Sequence, residues 1–306
     1  MKTFIRYCYC ALAAAVLLPG ICAAQNTLDL TFRQAPLPAR ALAIGDAFVS
    51  DVHSVSAAIL NPSSLAYLEN VSVDATAGLS MDNREMQGSV IVPVMVRHES
   101  GLAVGGYSSV FDRKDWSKKG GTVYGGTVSY GFRITQSFAI GALYNMQSGS
   151  FAGTTVTGGN LGFGAIYTAL PSLSYGLSVT GLGSGIIFHQ TDTLSSIERE
   201  GNVPRSVSMG ATWHYPTTHD RVVFNYYLSG QKIIGVDQVI YRMGFEVLPW
   251  KFLALRGGVV AGPVTSVGRF GIGIVTSAVE IDYALVSSVM ESRMHTMTVS
   301  IPFFSR

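Results

Sequence analysis

Val279-Glu280-Ile281-Asp282-Tyr283-Ala284-Leu285 alternates apolar with polar or small residues. A strand has a side-chain period of two, so Val279, Ile281, Tyr283 and Leu285 share one face, and Glu280, Asp282 and Ala284 share the other. The last segment repeats the pattern, with Met297, Val299, Ile301 and Phe303 set against Thr296, Thr298 and Ser300. In a soluble sandwich the polar face meets bulk water and is rich in charge. Here it is built mainly of Gly, Ser, Thr and Ala, while the apolar face ends in aromatics. That pattern predicts a transmembrane antiparallel β-barrel strand, with lipid outside and a polar, small-residue lumen inside.

Working backwards, similar segments recur to residue 71. About fourteen are expected, over 71–81, 86–97, 101–111, 122–133, 137–147, 160–169, 173–182, 205–215, 220–229, 238–247, 252–260, 267–275, 278–287 and 294–303. Each is near the roughly 9–11 residues that a tilted membrane strand requires. Every second connector is short: Arg97 to Ser100, Ile134 to Gln136, Leu170 to Ser172, Pro216 to His219, Leu248 to Lys251, and Thr276 to Ser277. The others are generally longer and more polar, such as Asp112 to Gly121, Ser148 to Gly159 and Gly183 to Pro204. Short periplasmic turns alternating with long outer loops place both chain ends in the periplasm. Phe132, Tyr167, Tyr175, Trp213, Tyr215, Phe245, Trp250 and Phe303 fall beside the short turns and predict one aromatic girdle.

Composition supports this all-β reading. Hydrophobic residues make up 48% of the chain and charged residues 13%, yet beyond residue 24 no uninterrupted apolar run is long enough for a membrane helix. The N-terminus has a basic start (Lys2, Arg6), an apolar stretch from Ala11 to Leu18, and small residues before Gln25, so residues 1–24 read as a secretory signal peptide. All three cysteines (Cys8, Cys10, Cys22) lie within it, leaving no disulfide or thiol chemistry in the exported chain. Loss of Lys2 and Arg6 brings the 21 basic residues level with the 19 acidic ones. A formally neutral chain has no electrostatic footprint for nucleic acid.

Residues 25–70 differ from the rest. Ala39 to Gly45 and Ser54 to Leu60 read as helical or coiled, with breaks at Pro36, Pro38 and Pro62. With few large apolar residues, this stretch is expected to form a plug within the barrel of residues 71–306 rather than a domain of its own.

The ordered features resemble the PorV/PorQ-like outer-membrane barrels and, more distantly, the FadL-type fatty-acid channels. The resemblance rests first on Ala39-Arg40-Ala41-Leu42-Ala43-Ile44-Gly45-Asp46-Ala47-Phe48-Val49, followed by Ser56-Ala57-Ala58-Ile59-Leu60-Asn61-Pro62-Ser63-Ser64-Leu65. It continues through Val179-Thr180-Gly181-Leu182-Gly183, Val203-Pro204-Arg205, Glu246-Val247-Leu248-Pro249, Leu255-Arg256-Gly257-Gly258, Ile281-Asp282-Tyr283-Ala284 and His295. Asp46 stands where such a motif usually has Gly, and the chain runs three residues past Phe303. The resemblance implies an outer-membrane location in a Gram-negative cell, insertion by the barrel-assembly machinery, and a plug motif centred on Arg40, Gly45, Asn61 and Pro62. It implies a platform for secreted or cell-surface proteins, with FadL-like passive transport of small hydrophobic molecules as the alternative.

The candidate sites follow from this frame. Arg242, Glu246, Arg256, Glu280 and Asp282 face the expected lumen, where charges must be paired, and Arg40 of the plug is expected to join them. Ile186-Ile187-Phe188 falls in an expected outer loop, where three bulky apolar residues in a row suggest capture of a hydrophobic solute or a protein partner. The six histidines (His53, His98, His189, His214, His219, His295) form no compact ligand set in the sequence, so no metal is expected. No cofactor loop or catalytic constellation stands out, and a non-enzymatic role is expected. Mass spectrometry of the membrane-bound protein is expected to give Gln25 as the first residue and no thiol; a retained Met1 or Cys22 would overturn the signal-peptide reading.

Overall fold

The computed structural model describes residues 36–305 apart from 69, 81–84, 112–120, 152–153, 184, 193–194, 203, 217–222, 236–238, 263–265 and 288–292. The expected signal peptide, and the part of the 25–70 segment before Pro36, lie outside the described residues. Helix α1 (Ala39–Ala43) and two 3-10 turns (Val55–Ile59 and Pro62–Tyr67) come first. Then follow β1 (Asn70–Ser80), β2 (Glu85–Val96), β3 (Ser100–Phe111), β4 (Gly121–Thr135), β5 (Phe138–Phe151), β6 (Thr154–Leu170), β7 (Leu173–Leu182) and β8 (Gly185–Asp192). The series is completed by β9 (Ser195–Asn202), β10 (Ser206–Pro216), β11 (Val223–Ile233), β12 (Val239–Trp250), β13 (Leu253–Ala261), β14 (Ser266–Val275), β15 (Glu280–Ser287) and β16 (Met294–Ser305).

Fourteen of these strands close into one antiparallel barrel. β7 pairs directly with β10, β5 with β6, and the first strand meets the last along Asn70↔Ser305 to Ser80↔Met294. Closure leaves no unpaired edge in the ring, which hydrocarbon would not tolerate. β8 and β9 form a separate hairpin, hung on the N-terminal end of β6 through Thr154↔Gln190 to Gly158↔Ile186.

Here the structure departs from the sequence reading. Ile186, Ile187 and Phe188 lie on β8, facing Gly158, Thr157 and Val156 of β6 in register, and not in an irregular loop. The expected loop from Ser148 to Gly159 is likewise mostly strand, the continuation of the β5–β6 pair. The physical reason is that hydrophobic alternation is needed only where lipid touches one face. Beyond that height the ladder continues with Thr and Ser on both faces, and the period-two signal fades although the hydrogen bonds do not.

The outer surface carries the large apolar residues. Phe270, Ile272, Ile274, Ile281, Tyr283, Met297, Ile301 and Phe303 are exposed around β14 to β16. Near the short turns, Phe132, Tyr167, Tyr175, Trp213, Tyr215 and Trp250 are exposed as well. Trp213 meets Tyr215 edge-on at 5.9 Å between centroids, and Trp250 stacks on Phe252 at 6.1 Å. Such an apolar belt with aromatics at its margin is what a bilayer selects, and a barrel of this kind belongs in a bacterial outer membrane.

Inward positions are small. Nine of them, on nine strands, are glycines at which a Cβ would collide with the segment from Ala43 to Leu65: Gly101, Gly131, Gly141, Gly164, Gly176, Gly210, Gly244, Gly258 and Gly271. The segment from Pro36 to Leu68 therefore lies inside the barrel, in its short-turn half, with its backbone against the wall. Ala39, Ala43 and Leu42 pack on Ala284, Val267 and Val286, while Val55, Ala58, Ile59 and Leu65 pack on Ile91, Ala103 and Tyr107.

This packing changes one expectation about tolerance. Ala284 faces inward, but it is fully buried under α1, so it is not open lumen. Ile281→Arg is expected to impair insertion by roughly 2–4 kcal/mol if it sits near mid-bilayer. Ala284→Arg is expected to assemble in the membrane but to dislodge the inner segment, exposing residues 39–68 to added protease. Protection of that segment in Ala284→Arg would show that this contact is not what holds it.

Candidate functional site

The inner segment is fastened to the wall at three places. The first is Asn61. Its Oδ1 accepts from the Ser63 backbone N–H at 3.2 Å and the Ser63 hydroxyl at 2.6 Å, capping the turn that Pro62 begins. Its Nδ2 donates to the carbonyl of Val49 at 2.7 Å and of Ala165 on β6 at 3.2 Å. One amide thus closes the turn and binds it to the barrel. Gly164 beside it has no side chain because Asn61 Oδ1 occupies that place.

The second is the turn after α1. Gly45 has φ 72° and Asp46 φ 57°, both in the left-handed region. A Cβ at Gly45 would stand 2.9 Å from the Met243 carbonyl, so geometry and space both require glycine here. Asp46 accepts strain uncommon for a non-glycine residue, and its carboxylate pairs with Arg269 at 2.5 Å.

The third is the charged anchor. Glu246 is the junction: its Oε1 accepts from Arg40 Nε at 3.0 Å and Arg256 Nε at 2.6 Å. Its Oε2 accepts from Arg40 Nη2 at 3.1 Å, Asn225 Nδ2 at 2.8 Å and the Tyr227 hydroxyl at 3.2 Å. Arg256 continues to Glu280 at 3.2 Å and to Asp282. Cross-strand register explains the closeness: Glu246 faces Arg256 across β12–β13 and Asn225 across β11–β12. Gly273, opposite Asp282, leaves the space that the Arg256 guanidinium fills.

Arg40 comes from α1 and also reaches Asp51 at 3.5 Å and lies 5.3 Å over the Phe48 ring. Burial opposes its charge, but Glu246 above all, with Asp51, outweighs it and holds the guanidinium well above its ordinary pKa. Four carboxylates (Asp51, Glu246, Glu280 and Asp282) thus share two arginines, with both Glu246 oxygens hydrogen-bonded. Charges this deep persist only when so paired.

The structure therefore brings Arg40, Glu246, Arg256, Glu280 and Asp282 together. It leaves Arg242 out. Arg242 donates to Gln231 Oε1 at 2.6 Å and lies nearer the long-loop end, beside Val260 in register. It was grouped with the others because it shares their inward face, but four residues along β12 from Glu246 is too far for contact. Asp51, Asn225 and Tyr227 complete the anchor and were not anticipated. Asp51 lies close behind the Arg40 motif and could have been flagged as an acidic neighbour; Asn225 and Tyr227 reach Glu246 only through the β11–β12 register.

A further contact lies at the anchor's edge. His53 Nε2 is 3.1 Å from His214 Nε2, and His214 Nδ1 is 2.7 Å from Asn225 Oδ1.

Solved structures share this architecture. The chain aligns with the CymD monoaromatic hydrocarbon channel at TM-score 0.63 and 10% identity, covering 89% of this chain and 99% of that one. It aligns with the Pseudomonas putida toluene transporter TodX at 0.61 and 10%, covering 90% and 100%. A Pseudomonas aeruginosa FadL homologue gives 0.57 and 10%, covering 94% and 100%. At this identity the likeness is one of fold. No family model matches the sequence, and no curated protein does.

Glu246→Ala would leave Arg40 and Arg256 without their shared carboxylate, a loss of about 3–5 kcal/mol for a broken buried pair. Arg40→Ala leaves Glu246 still bonded to Arg256 and is expected to cost less. Comparing the temperature at which each variant loses its fast, folded gel migration tests this. Equal midpoints for the two variants would mean that Glu246 is not the junction.

Proposed function

We propose that the chain is an outer-membrane channel for passive passage of small hydrophobic molecules, with Pro36 to Leu68 as its plug. The observation that carries this is the plug itself: a segment with its own anchors occupies the short-turn half of a closed barrel. A platform needs only a barrel that stays in the membrane, whereas an obstructed lumen is useful where traffic is to be limited. Open aqueous pores are usually lined by rings of charge. Here, inward positions include Tyr107, Leu143, Val267 and Val286 among Ser, Thr, Asn and Gln.

The platform reading, implied by the PorV/PorQ resemblance, is the weaker of the two. The three aligned structures are described as a hydrocarbon channel, a toluene transporter and a FadL homologue, which fits transport better. In this reading the short turns face the periplasm, Ile186, Ile187 and Phe188 on the outer hairpin receive the solute, and the barrel-assembly machinery inserts the chain.

The test is uptake by cells lacking other channels for apolar solutes. Expression is expected to speed accumulation of a labelled monoaromatic hydrocarbon and to leave a labelled disaccharide excluded. Gly258→Val, which drives a side chain into Gly45 of the plug, is expected to admit the disaccharide while the barrel still shows fast gel migration. Unchanged hydrocarbon uptake on expression would end the transport reading, and disaccharide exclusion in Gly258→Val would end the plug reading.

A further inference from the structure

His53 and His214 are 161 positions apart, one on the inner segment and one on β10, yet their ring edges meet at an exposed place. Their Nε2 atoms are 3.1 Å apart, but their centroids are only 4.7 Å apart, at an interplanar angle of 70°. A direct N–H···N hydrogen bond prefers near-linear geometry, which would put the centroids roughly 5.4 Å apart. At 4.7 Å, at least one ring lies off the line that joins the two nitrogens. Two nitrogens 3.1 Å apart have the separation that two metal–imidazole bonds of roughly 2.0–2.1 Å span when they meet at about a right angle.

A second observation concerns the tautomer. Asn225 donates its Nδ2 to Glu246 at 2.8 Å, so the oxygen it turns to His214 is an acceptor. His214 Nδ1 must then carry the proton, and its Nε2 is left as a lone pair 3.1 Å from His53 Nε2. Fixing one ring nitrogen by a hydrogen bond so that the other can ligate is the usual outer-shell arrangement of metal-binding histidines.

We propose that His53 and His214 form a two-nitrogen site for a late first-row transition ion, which ties the inner segment to β10. The right angle suits the tetragonal geometry of Cu2+ or Ni2+, and Cu2+ is favoured by the general order of affinities. Among the described residues no three His, Cys, Asp or Glu side chains converge on one ion, so water fills the remaining positions. The inference does not depend on transport; it concerns only how the inner segment is held.

The probe is Cu2+ alone, titrated into the folded barrel in detergent and followed by calorimetry and by electron paramagnetic resonance. One saturable ion per barrel is expected, with hyperfine splitting from two nitrogens. His53→Ala and His214→Ala should each weaken binding at least tenfold and abolish the two-nitrogen signal, while His98→Ala, in an exposed short turn, leaves both unchanged. Gel migration before heating confirms that each variant is folded. His53→Ala removes only an exposed ring, which keeps the test valid should His214→Ala misfold. Absence of a one-to-one site in the wild type, or a site surviving His53→Ala, would overturn the proposal.

Discussion

The interior depends on the absence of side chains at nine wall positions. A polypeptide can run inside a fourteen-stranded barrel only if its own polar backbone and the wall approach closely, because any gap would be a void or a wetted space. Glycines at Gly101, Gly131, Gly141, Gly164, Gly176, Gly210, Gly244, Gly258 and Gly271 allow that approach around most of the circumference. Each costs the strand some stability through backbone entropy, offset by the apolar contacts of Ala39, Leu42, Ala43, Val55 and Leu65. The same closeness brings Asn61 within reach of β6 and Arg40 within reach of β12.

The charged anchor is a consequence of this placement more than its cause. Arg40 enters a site where Arg256 already bridges Glu246 and Asp282 from the wall. Because Glu246 accepts from both arginines, the inner segment and the barrel share one carboxylate. The aliphatic contacts set how much stability the interior has; the shared carboxylate sets the position of α1 along the axis, since hydrogen bonds at 2.6 to 3.1 Å tolerate little sliding.

What could be read from the sequence follows where lipid acts. Strands in contact with hydrocarbon, such as β15 with Ile281 and Tyr283 outward and Asp282 inward, are legible because one face is compelled to be apolar. The β8–β9 hairpin was not, because nothing forces a pattern on it. The inward glycines were read as a small-residue lumen, when they mark contact with another backbone; composition cannot separate those meanings. Arg242 shares its face with Glu246 but not its neighbourhood, and a period-two pattern carries no height. The His53–His214 contact, spanning half the chain, left no local signal at all.

Closure of the barrel through β1 and β16 joins the two ends of the described chain. The inner segment is the N-terminal part of the described chain, leading directly into β1, while the ring cannot shut until β16 pairs along its whole length with β1. The residues that are synthesised early are thus enclosed by a wall whose seam includes the C-terminal strand. Thr298 of that last strand, facing Thr76 of β1, accepts the Ala39 backbone N–H at 2.8 Å. The seam and the start of α1 therefore share one hydroxyl, so that contact exists only in a closed ring.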